Sequence, residues 1–168
     1  MRAAMSPRAS KPLRVLGVDP GFDRLGLAVL EGNPSKPTLI WSACIEPAKG
    51  VMSARLAEVA QAIHEAIEKY APDALALETL FFSTNKKTAL TVAEARGAVL
   101  TVAGMCKIRI VEFSPQQVKL AVTGYGAADK RAVGQMIPRL VTLSTKKRRD
   151  DELDAIAVAI AGLSTVRR

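Results

Sequence analysis

Residues 13–45 read LRVLGVDPGFDRLGLAVLEGNPSKPTLIWSACI, and their pattern predicts the first half of a β-sheet. The stretch contains three short, nearly continuous apolar runs of the kind found in buried strands: LRVLGV at 13–18, GLAVLEG at 26–32 and TLIWSACI at 38–45. The segments between the runs contain Gly, Pro, Asp, Asn and Ser, which favour turns. The pattern therefore predicts an antiparallel meander of three strands.

Helices and strands alternate after the meander. Apolar residues repeat at helical spacing up to residue 70, and Ala-Pro-Asp at 71–73 ends that helix before the apolar strand 74–77. Further along we predict a helix over 87–104, a strand over 108–113 and a short helix from Ser114-Pro115 to about 122. A weak helix over 128–140, interrupted by Gly134 and Pro138, and a strong helix over 150–164 complete the chain. The order predicts an α/β fold, a mixed five-stranded sheet flanked by helices.

Length and composition fit one such domain. The chain has 168 residues and 49% of them are hydrophobic, enough for a single sizeable core. Cys44 and Cys106 lie far apart and outside any CxxC or Cys/His cluster, which argues against a disulfide scaffold and a structural zinc site. No apolar run approaches the roughly 18 residues of a membrane span, and no secretory signal is recognisable. We therefore expect a cytoplasmic protein without membrane contact. We predict a single domain over 13–168, preceded by a flexible basic tail over 1–12. The composition of this tail also fits a transit peptide.

Positive charge is concentrated towards the two ends of the chain. The formal net charge is +8, to which residues 1–14 contribute +4, residues 15–106 contribute −2 and residues 107–168 contribute +6. Clustered Lys and Arg suit a polyanion such as nucleic acid, because they release counterions from phosphates. The same charge also serves solubility alone, so composition leaves both interpretations open.

Four acidic residues stand out by their positions. Asp19 ends the first strand, Glu78 follows the strand 74–77, and Asp151 and Asp154 lie at the start of the last helix. If the first and fourth strands are parallel neighbours, their carboxyl ends lie at one edge of the sheet, where ligands usually bind. Asp151 and Asp154 are three residues apart, so they share a helix face and can close the site from a third direction.

This set of carboxylates predicts a site for divalent cations. Oxygen ligands without His or Cys suit Mg²⁺ or Mn²⁺, and two ions about 3.5–4 Å apart are typical of phosphodiester hydrolysis. Taken singly, each acid has a simpler interpretation as a residue of a helix terminus, a turn or the rim of the sheet. Their joint placement at strand ends and at one helix start favours the metal site.

Four ordered stretches carry a resemblance to a known family: GVDPGFDRLGLAV at 17–29, LALETLFFSTNKKTALTVAEARG at 75–97, QQVKLAVTGYGAADK at 116–130 and DDELDAIAVAIA at 150–161. With them the sequence resembles the RuvC-type Holliday junction resolvases of bacteria, which have a ribonuclease H-like fold, over nearly all of 13–163. The resemblance implies a homodimer that nicks two strands of a four-way junction symmetrically, with two Mg²⁺ per active site that Mn²⁺ can replace. It places the metal-binding, catalytic carboxylates at Asp19, Glu78, Asp151 and Asp154.

The resemblance also implies DNA-contacting residues. Phe81 matches an aromatic residue used at the junction centre, where a ring can stack on an unpaired base; alternatively, Phe81 and Phe82 both belong to the core. We expect Phe81 to be the exposed one of the two. Lys119 and Lys130 match basic positions near the scissile phosphate, with Lys119 assigned to catalysis as well. We expect further phosphate contacts from Lys86 and Lys87.

Two features each have two interpretations. One departure from the family pattern is the basic run Lys146-Lys147-Arg148-Arg149. We predict that this run either holds phosphates near the metals or pairs internally with Asp150 and Glu152. Gly21 and Gly26 bracket the first turn, where they either permit close backbone approach to metal or DNA or serve the turn alone.

The leading hypothesis is a Mg²⁺-dependent, structure-selective endonuclease that resolves Holliday junctions in DNA recombination and repair. One alternative is a related ribonuclease H-like nuclease acting on other nucleic acid. Another is a non-catalytic junction-binding protein, although a DNA-binding surface gains nothing from four carboxylates. A branch-migration helicase is the expected partner complex, and the helix 87–104, with small residues at Ala93, Gly97 and Ala98, is the candidate dimer surface.

Overall fold

The computed structural model describes residues 11–79 and 86–167, which form five strands and five helices within these ranges. The strands are β1 (Arg14–Asp19), β2 (Leu25–Asn33), β3 (Lys36–Ile45), β4 (Ala74–Glu78) and β5 (Arg109–Phe113). The helices are α1 (Met52–Tyr70), α2 (Lys86–Met105), α3 (Pro115–Thr123), α4 (Lys130–Leu140) and α5 (Asp150–Thr165). The predicted α/β architecture is confirmed.

The sheet has the order β3-β2-β1-β4-β5. The three strands of the meander pair antiparallel, as the apolar runs predict, whereas β4 joins β1 in parallel and β5 joins β4 in parallel. Val18 of β1 lies opposite Leu77 of β4, so Asp19 and Glu78 are the next residues along two neighbouring parallel strands. The register therefore places these two acids at the same sheet edge.

The two faces of the sheet bury different side chains. Leu16 and Val18 of β1 face α1 and α2, where they join Val59, Ile63 and other apolar residues. On the opposite face, small residues of β2 and β4 pack with Val15 against α5. The alternation along each strand, one residue to each face, gives three layers with the sheet in the middle.

Helix α5 packs unusually close to the sheet. A Cβ added to Gly17 of β1 would lie 2.2 Å from the carbonyl oxygen of Ala155, and one added to Gly162 would lie 2.6 Å from Cγ1 of Val15. Gly17 thus lets the backbone of β1 approach the backbone of α5, and Gly162 leaves room for the side chain of Val15. This close packing brings the first turns of α5 to the edge where β1 ends.

Helix α4 differs from the prediction, because it runs from Lys130 to Leu140 without an interruption. Pro138 lacks only the backbone bond to the carbonyl of Gly134, one turn earlier, and lies in the last turn. Val133 and Ile137 are buried on one face of the helix, and Asp129 caps its start by accepting a hydrogen bond from the Ala132 amide. Burial and capping outweigh the two unfavourable residues.

Some sequence predictions lie outside the described residues. These are residues 1–10 of the tail, together with Phe81 and Phe82. Across the described part of the chain, every helix is too short or too polar to span a lipid bilayer.

Candidate active site

Three of the four predicted acids line one cavity of about 230 Å³ at the carboxyl edge of β1 and β4. Asp19 and Glu78 come from the ends of these strands, and Asp154 comes from α5 on the opposite side. Lys119 of α3 and Lys130 of α4 line the same cavity, and Val118, Val133, Ala157 and Val158 form its apolar wall. The fold therefore brings five polar residues predicted from sequence into one site.

Asp151, the fourth acid, lies beside this cavity and is held by another group. Its Oδ2 is 3.2 Å from Nε of Arg24, in the loop between β1 and β2. The same oxygen is buried and has no hydrogen-bond partner within the part of the chain that the structure describes. Asp151 is nevertheless near enough for its charge to act on Asp19.

The site carries more negative charge than its own cations compensate. Burial raises the pKa of Asp19 to about 7, and the neighbouring charges of Asp154, Asp151 and Glu78 add to the effect. Burial also raises the pKa of Glu78, with a further contribution from Asp154, although the charge of Lys119 opposes it. Asp19 therefore favours a proton or a metal cation at neutral pH.

The two lysines are placed by well-defined helix starts. Ser114 and Gln117 form a capping box at α3, with Pro115 in its first turn, and this helix carries Lys119. Lys130 is the first residue of α4, and its Nζ lies 3.2 Å from Oδ2 of Asp154 and 3.5 Å from Oδ2 of Asp150. Burial disfavours the charge of Lys130, but these two carboxylates outweigh it and raise the pKa of the ammonium.

The chemistry of these donors fits hard divalent cations. The acids offer only oxygen ligands, the pKa of Asp19 is raised, and Asp151 has a buried oxygen without a hydrogen bond. Within residues 11–79 and 86–167, however, no three acidic, histidine or cysteine side chains are already grouped to hold an ion. Lys130 and Arg24 instead pair with Asp154 and Asp151, so a cation at these oxygens has to compete with the two basic side chains.

Comparison with known proteins agrees with this geometry. The family described as "Crossover junction endodeoxyribonuclease RuvC" matches residues 15–162. The chain is similar to the crossover junction endodeoxyribonuclease RuvC of Thermomicrobium roseum, with 42% identity over 148 residues that cover 88% of this chain and 91% of the relative. It is also similar to the RuvC of Gloeobacter violaceus, with 42% identity over 152 residues that cover 89% of this chain and 87% of the relative.

The chain belongs to the RuvC family. A solved structure described as "T. thermophilus RuvC in complex with Holliday junction substrate" matches it with a TM-score of 0.83 and 29% identity, covering 89% of this chain and 92% of that one. The five-stranded sheet and its helices are thus the ribonuclease H-like fold of RuvC. Nucleases of this family depend on divalent metal ions.

The glycines of the first turn in this RuvC-family chain allow close backbone approach. A Cβ on Gly26 would lie 1.9 Å from the carbonyl oxygen of Asp151, and one on Gly21 would lie 2.2 Å from the carbonyl oxygen of Arg24. Both contacts are to backbone atoms of the chain itself. Gly26 lets β2 touch the start of α5, and Gly21 lets the loop fold back so that Arg24 reaches Asp151.

The basic run before α5 divides between internal pairs and exposed charge. The Arg148 side chain is only 8% exposed, and its Nε lies 3.2 Å from Oε1 of the buried Glu152. Nζ of Lys146 lies 3.9 Å from the same oxygen. The internal pairing predicted with Glu152 is therefore present, which removes Arg148 from the expected phosphate contacts. Asp150 pairs with Lys130 rather than with the run, while Arg149 binds Glu46 and Lys147 is exposed.

Arginines that sequence reasoning missed support the site from outside. Nη1 of Arg96, on α2, donates a hydrogen bond of 2.6 Å to the carbonyl oxygen of Glu78, and its Nη2 pairs with Glu112 of β5. Arg24 holds Asp151. No local pattern in the sequence indicates this contact, because it joins the loop before β2 to α5. Lys86 and Lys87 begin α2, and Phe81 lies outside the described residues. The structure therefore assigns no side-chain contact to any of these three residues.

Proposed function

We propose that this protein resolves four-way DNA junctions by paired, symmetric nicks, and that a single nuclease domain over residues 13–168 carries this activity. The observation that carries the proposal is the cavity in which Asp19, Glu78 and Asp154 face Lys119 and Lys130. Carboxylates suit cations and lysines suit phosphates, so one small cavity contains the groups needed to hold a metal-bound phosphodiester. Membership of the RuvC family supports DNA crossovers as the substrate.

The four acids are the proposed ligands of two Mg²⁺ ions per active site, which Mn²⁺ can replace. Asp19, Glu78 and Asp154 would hold the ions within the cavity and Asp151 would join them from its edge. When bound, the ions supply activation of the attacking water and neutralise charge on the leaving oxygen. The buried position of Asp19 keeps its pKa high, so metal binding at neutral pH displaces a proton from this carboxyl.

The lysines are proposed to act on the phosphate. Lys119 lies on the cavity wall, where its ammonium can stabilise negative charge that develops during cleavage. Lys130 is bound to Asp154, so a cation that replaces this contact leaves its ammonium free for a phosphate oxygen. Phe81 at the junction centre, with Lys86 and Lys87 beside it as phosphate contacts, completes the proposed DNA contacts together with Lys146, Lys147 and Arg149.

We also propose a homodimer, since two coordinated cuts on a twofold junction need two sites. Helix α2 offers a surface for the second protomer. One face of the helix is buried in the core through Ala95, Val99 and Ala103. Gly97 is exposed, and the side chains of Leu90 and Met105 are 64% and 78% exposed. Apolar residues exposed at both ends of one helix suit a partner surface.

A branch-migration helicase complex is the proposed partner of this dimer. The bacterial cytoplasm, where chromosomal junctions form, is the proposed location.

The decisive experiment compares a labelled four-way junction, a linear duplex and an RNA–DNA hybrid, each with Mg²⁺ and with chelator. The wild-type protein should nick the junction in symmetric pairs, only with Mg²⁺. Asp19→Asn should bind the junction and not cut it, because the change removes a charge and conserves side-chain volume. Glu68→Gln, on the exposed surface of α1, is the matched control and should cut normally.

Other outcomes would overturn this assignment. Cleavage of the hybrid without the junction would indicate a different ribonuclease H-like nuclease. Binding of the junction without any cleavage by the wild-type protein would indicate a non-catalytic junction-binding protein.

Sedimentation tests the dimer separately. Among the described residues, a Cβ built on Gly97 or on Gly50 meets nothing within 4 Å beyond its own neighbouring backbone, so Gly97→Arg and Gly50→Arg should both fold. We expect Gly97→Arg to be a monomer and Gly50→Arg to remain a dimer. A wild-type monomer that still cuts in pairs would contradict the proposal.

A further inference from the structure

We propose that Arg24 is a built-in counter-cation of Asp151 that a divalent metal must displace, so that Arg24 sets the metal affinity of the site. This inference rests on the metal site of the proposed function. The guanidinium Nε lies 3.2 Å from Oδ2 of Asp151, and the Asp151 side chain is only 19% exposed. No hydrogen bond reaches this oxygen from the residues that the structure describes, so the ion pair is what compensates its buried charge.

The loop before β2 is shaped to deliver Arg24 to this position. Gly21 faces the carbonyl oxygen of Arg24 at a distance that excludes any Cβ, so the loop turns back tightly on itself. At the end of the loop, Gly26 lies directly against the backbone of Asp151. Two glycines thus set the approach of Arg24 to α5, and an accidental surface pair would not require either of them.

The same loop is fixed on its other side by α1. Arg55 is largely buried, its Nη2 lies 2.5 Å from Oδ1 of Asp23, and its guanidinium lies 4.8 Å above the ring of Phe22. The two residues before Arg24 therefore bind α1, while Arg24 itself turns to α5. The loop is held in a single arrangement that presents a cation to the acid.

A metal ion and Arg24 compete for the same carboxylate. Both are cations, and Oδ2 of Asp151 has no room for two strongly bound positive partners at once. The Arg24 side chain is half exposed, so it can leave for solvent at small cost when an ion binds. Without an ion, it prevents the charge of Asp151 from adding fully to the repulsion within the site.

The test measures metal binding in the absence of DNA. Mn²⁺ affinity is determined by isothermal titration calorimetry and by electron paramagnetic resonance for the wild type, Arg24→Gln, Arg24→Lys and Arg139→Gln. Arg139 is the matched control, because it is exposed in the last turn of α4 and makes no ion pair with a carboxylate of the described residues. We expect Arg24→Gln to bind Mn²⁺ about fivefold more tightly, and Arg24→Lys and Arg139→Gln to stay within twofold of the wild type.

Thermal unfolding provides the second readout. In chelator, Arg24→Gln should unfold at a lower temperature than the wild type, because Asp151 loses its counter-charge. Saturating Mn²⁺ should remove this difference, since the ion then neutralises Asp151 in both proteins. Arg139→Gln should match the wild type under both conditions.

Unchanged or weaker Mn²⁺ affinity in Arg24→Gln would overturn the inference, as would a loss of stability that Mn²⁺ leaves in place. Should Arg24→Gln fail to fold, the inference is tested with Arg24→Lys alone. Mn²⁺ affinity and stability equal to those of the wild type support a role of Arg24 that depends on its charge. Large losses of either in Arg24→Lys contradict that role. A wild-type protein that binds no Mn²⁺ would instead refute the metal site of the proposed function.

Discussion

Arg148 and Glu152 form a buried ion pair across the start of α5, with 3.2 Å between Nε and Oε1 and side chains that are 8% and 3% exposed. Ser42 of β3 donates a further hydrogen bond of 2.6 Å to the same carboxylate. The guanidinium of Arg148 also donates to the carbonyl oxygen of Ser144 in the preceding loop. This one pair therefore joins the basic loop, the edge of the sheet and the helix that carries two of the four acids.

Breaking this pair should destabilise the protein strongly. Arg148→Met leaves the carboxylate of Glu152 buried without its main counter-charge, and we expect a loss of about 3–5 kcal/mol in the free energy of unfolding. The double variant Arg148→Met/Glu152→Leu should lose much less, because neither charge remains. Urea denaturation of both variants measures the difference. Equal losses in the single and double variants would show that packing, rather than charge, dominates.

The stability of the protein in chelator should fall as the pH rises from about 4 to about 7. The pKa of Asp19 is raised to about 7 in the folded state, whereas an unfolded Asp titrates near 3.8. The folded state therefore binds more protons in this window, and stability decreases with pH until Asp19 is fully ionised. At about 1.4 kcal/mol per unit the effect reaches at most about 4 kcal/mol.

Thermal unfolding as a function of pH measures this dependence. Asp19→Asn should lose most of it, and Mg²⁺ should restore the stability of the wild type above pH 7. A wild-type profile that rises between pH 4 and 7 in chelator would contradict the raised pKa.

Gly26→Ala should disrupt the site through the backbone. The new methyl group would lie 1.9 Å from the carbonyl oxygen of Asp151, which forces β2 and α5 apart. We expect a loss of about 3 kcal/mol in stability and a weaker affinity for Mn²⁺. Gly134→Ala in α4 is the control, since an added Cβ there meets no described atom within 4 Å beyond the backbone of α4 itself, and it should stabilise the protein by about 0.5–1 kcal/mol. Similar stabilities for the two variants, measured in urea, would disprove the close contact.

Neighbours in the basic run should respond differently to salt. Lys147→Gln removes an exposed charge, so we expect the slope of log affinity for the junction against log salt concentration to decrease by about 1. Arg148→Gln removes a charge that is bound to Glu152, and it should leave this slope unchanged while lowering stability. Fluorescence anisotropy at several salt concentrations measures both slopes. A reduced slope for Arg148→Gln alone would reverse the assignment of the two side chains.

The sequence was sufficient where periodicity and local chemistry determine structure. The three apolar runs predict the meander, and the strand ends predict that Asp19 and Glu78 lie together, which the parallel register of β1 and β4 produces. Ser114-Pro115 predicts the start of α3, because a capping box needs only neighbouring residues. In each case the decisive interaction lies within one element or between elements of predictable order.

The sequence was insufficient where distant elements meet. No local pattern shows that Gly26 touches Asp151, or that Arg24 pairs with it, because those contacts depend on how α5 lies on the sheet. The continuity of α4 through Pro138 likewise depends on the burial of Val133 and Ile137 against the core. Tertiary packing, rather than local preference, decided these features.

The carboxylates of the cavity come from the first strand, the fourth strand and the last helix of the described fold. During translation, a chain that has emerged only as far as β4 has Asp19 and Glu78 and lacks Asp154 together with the helix that closes the cavity. We expect such a nascent chain to be catalytically inert, because the set of acids is complete only once α5 has docked on the sheet.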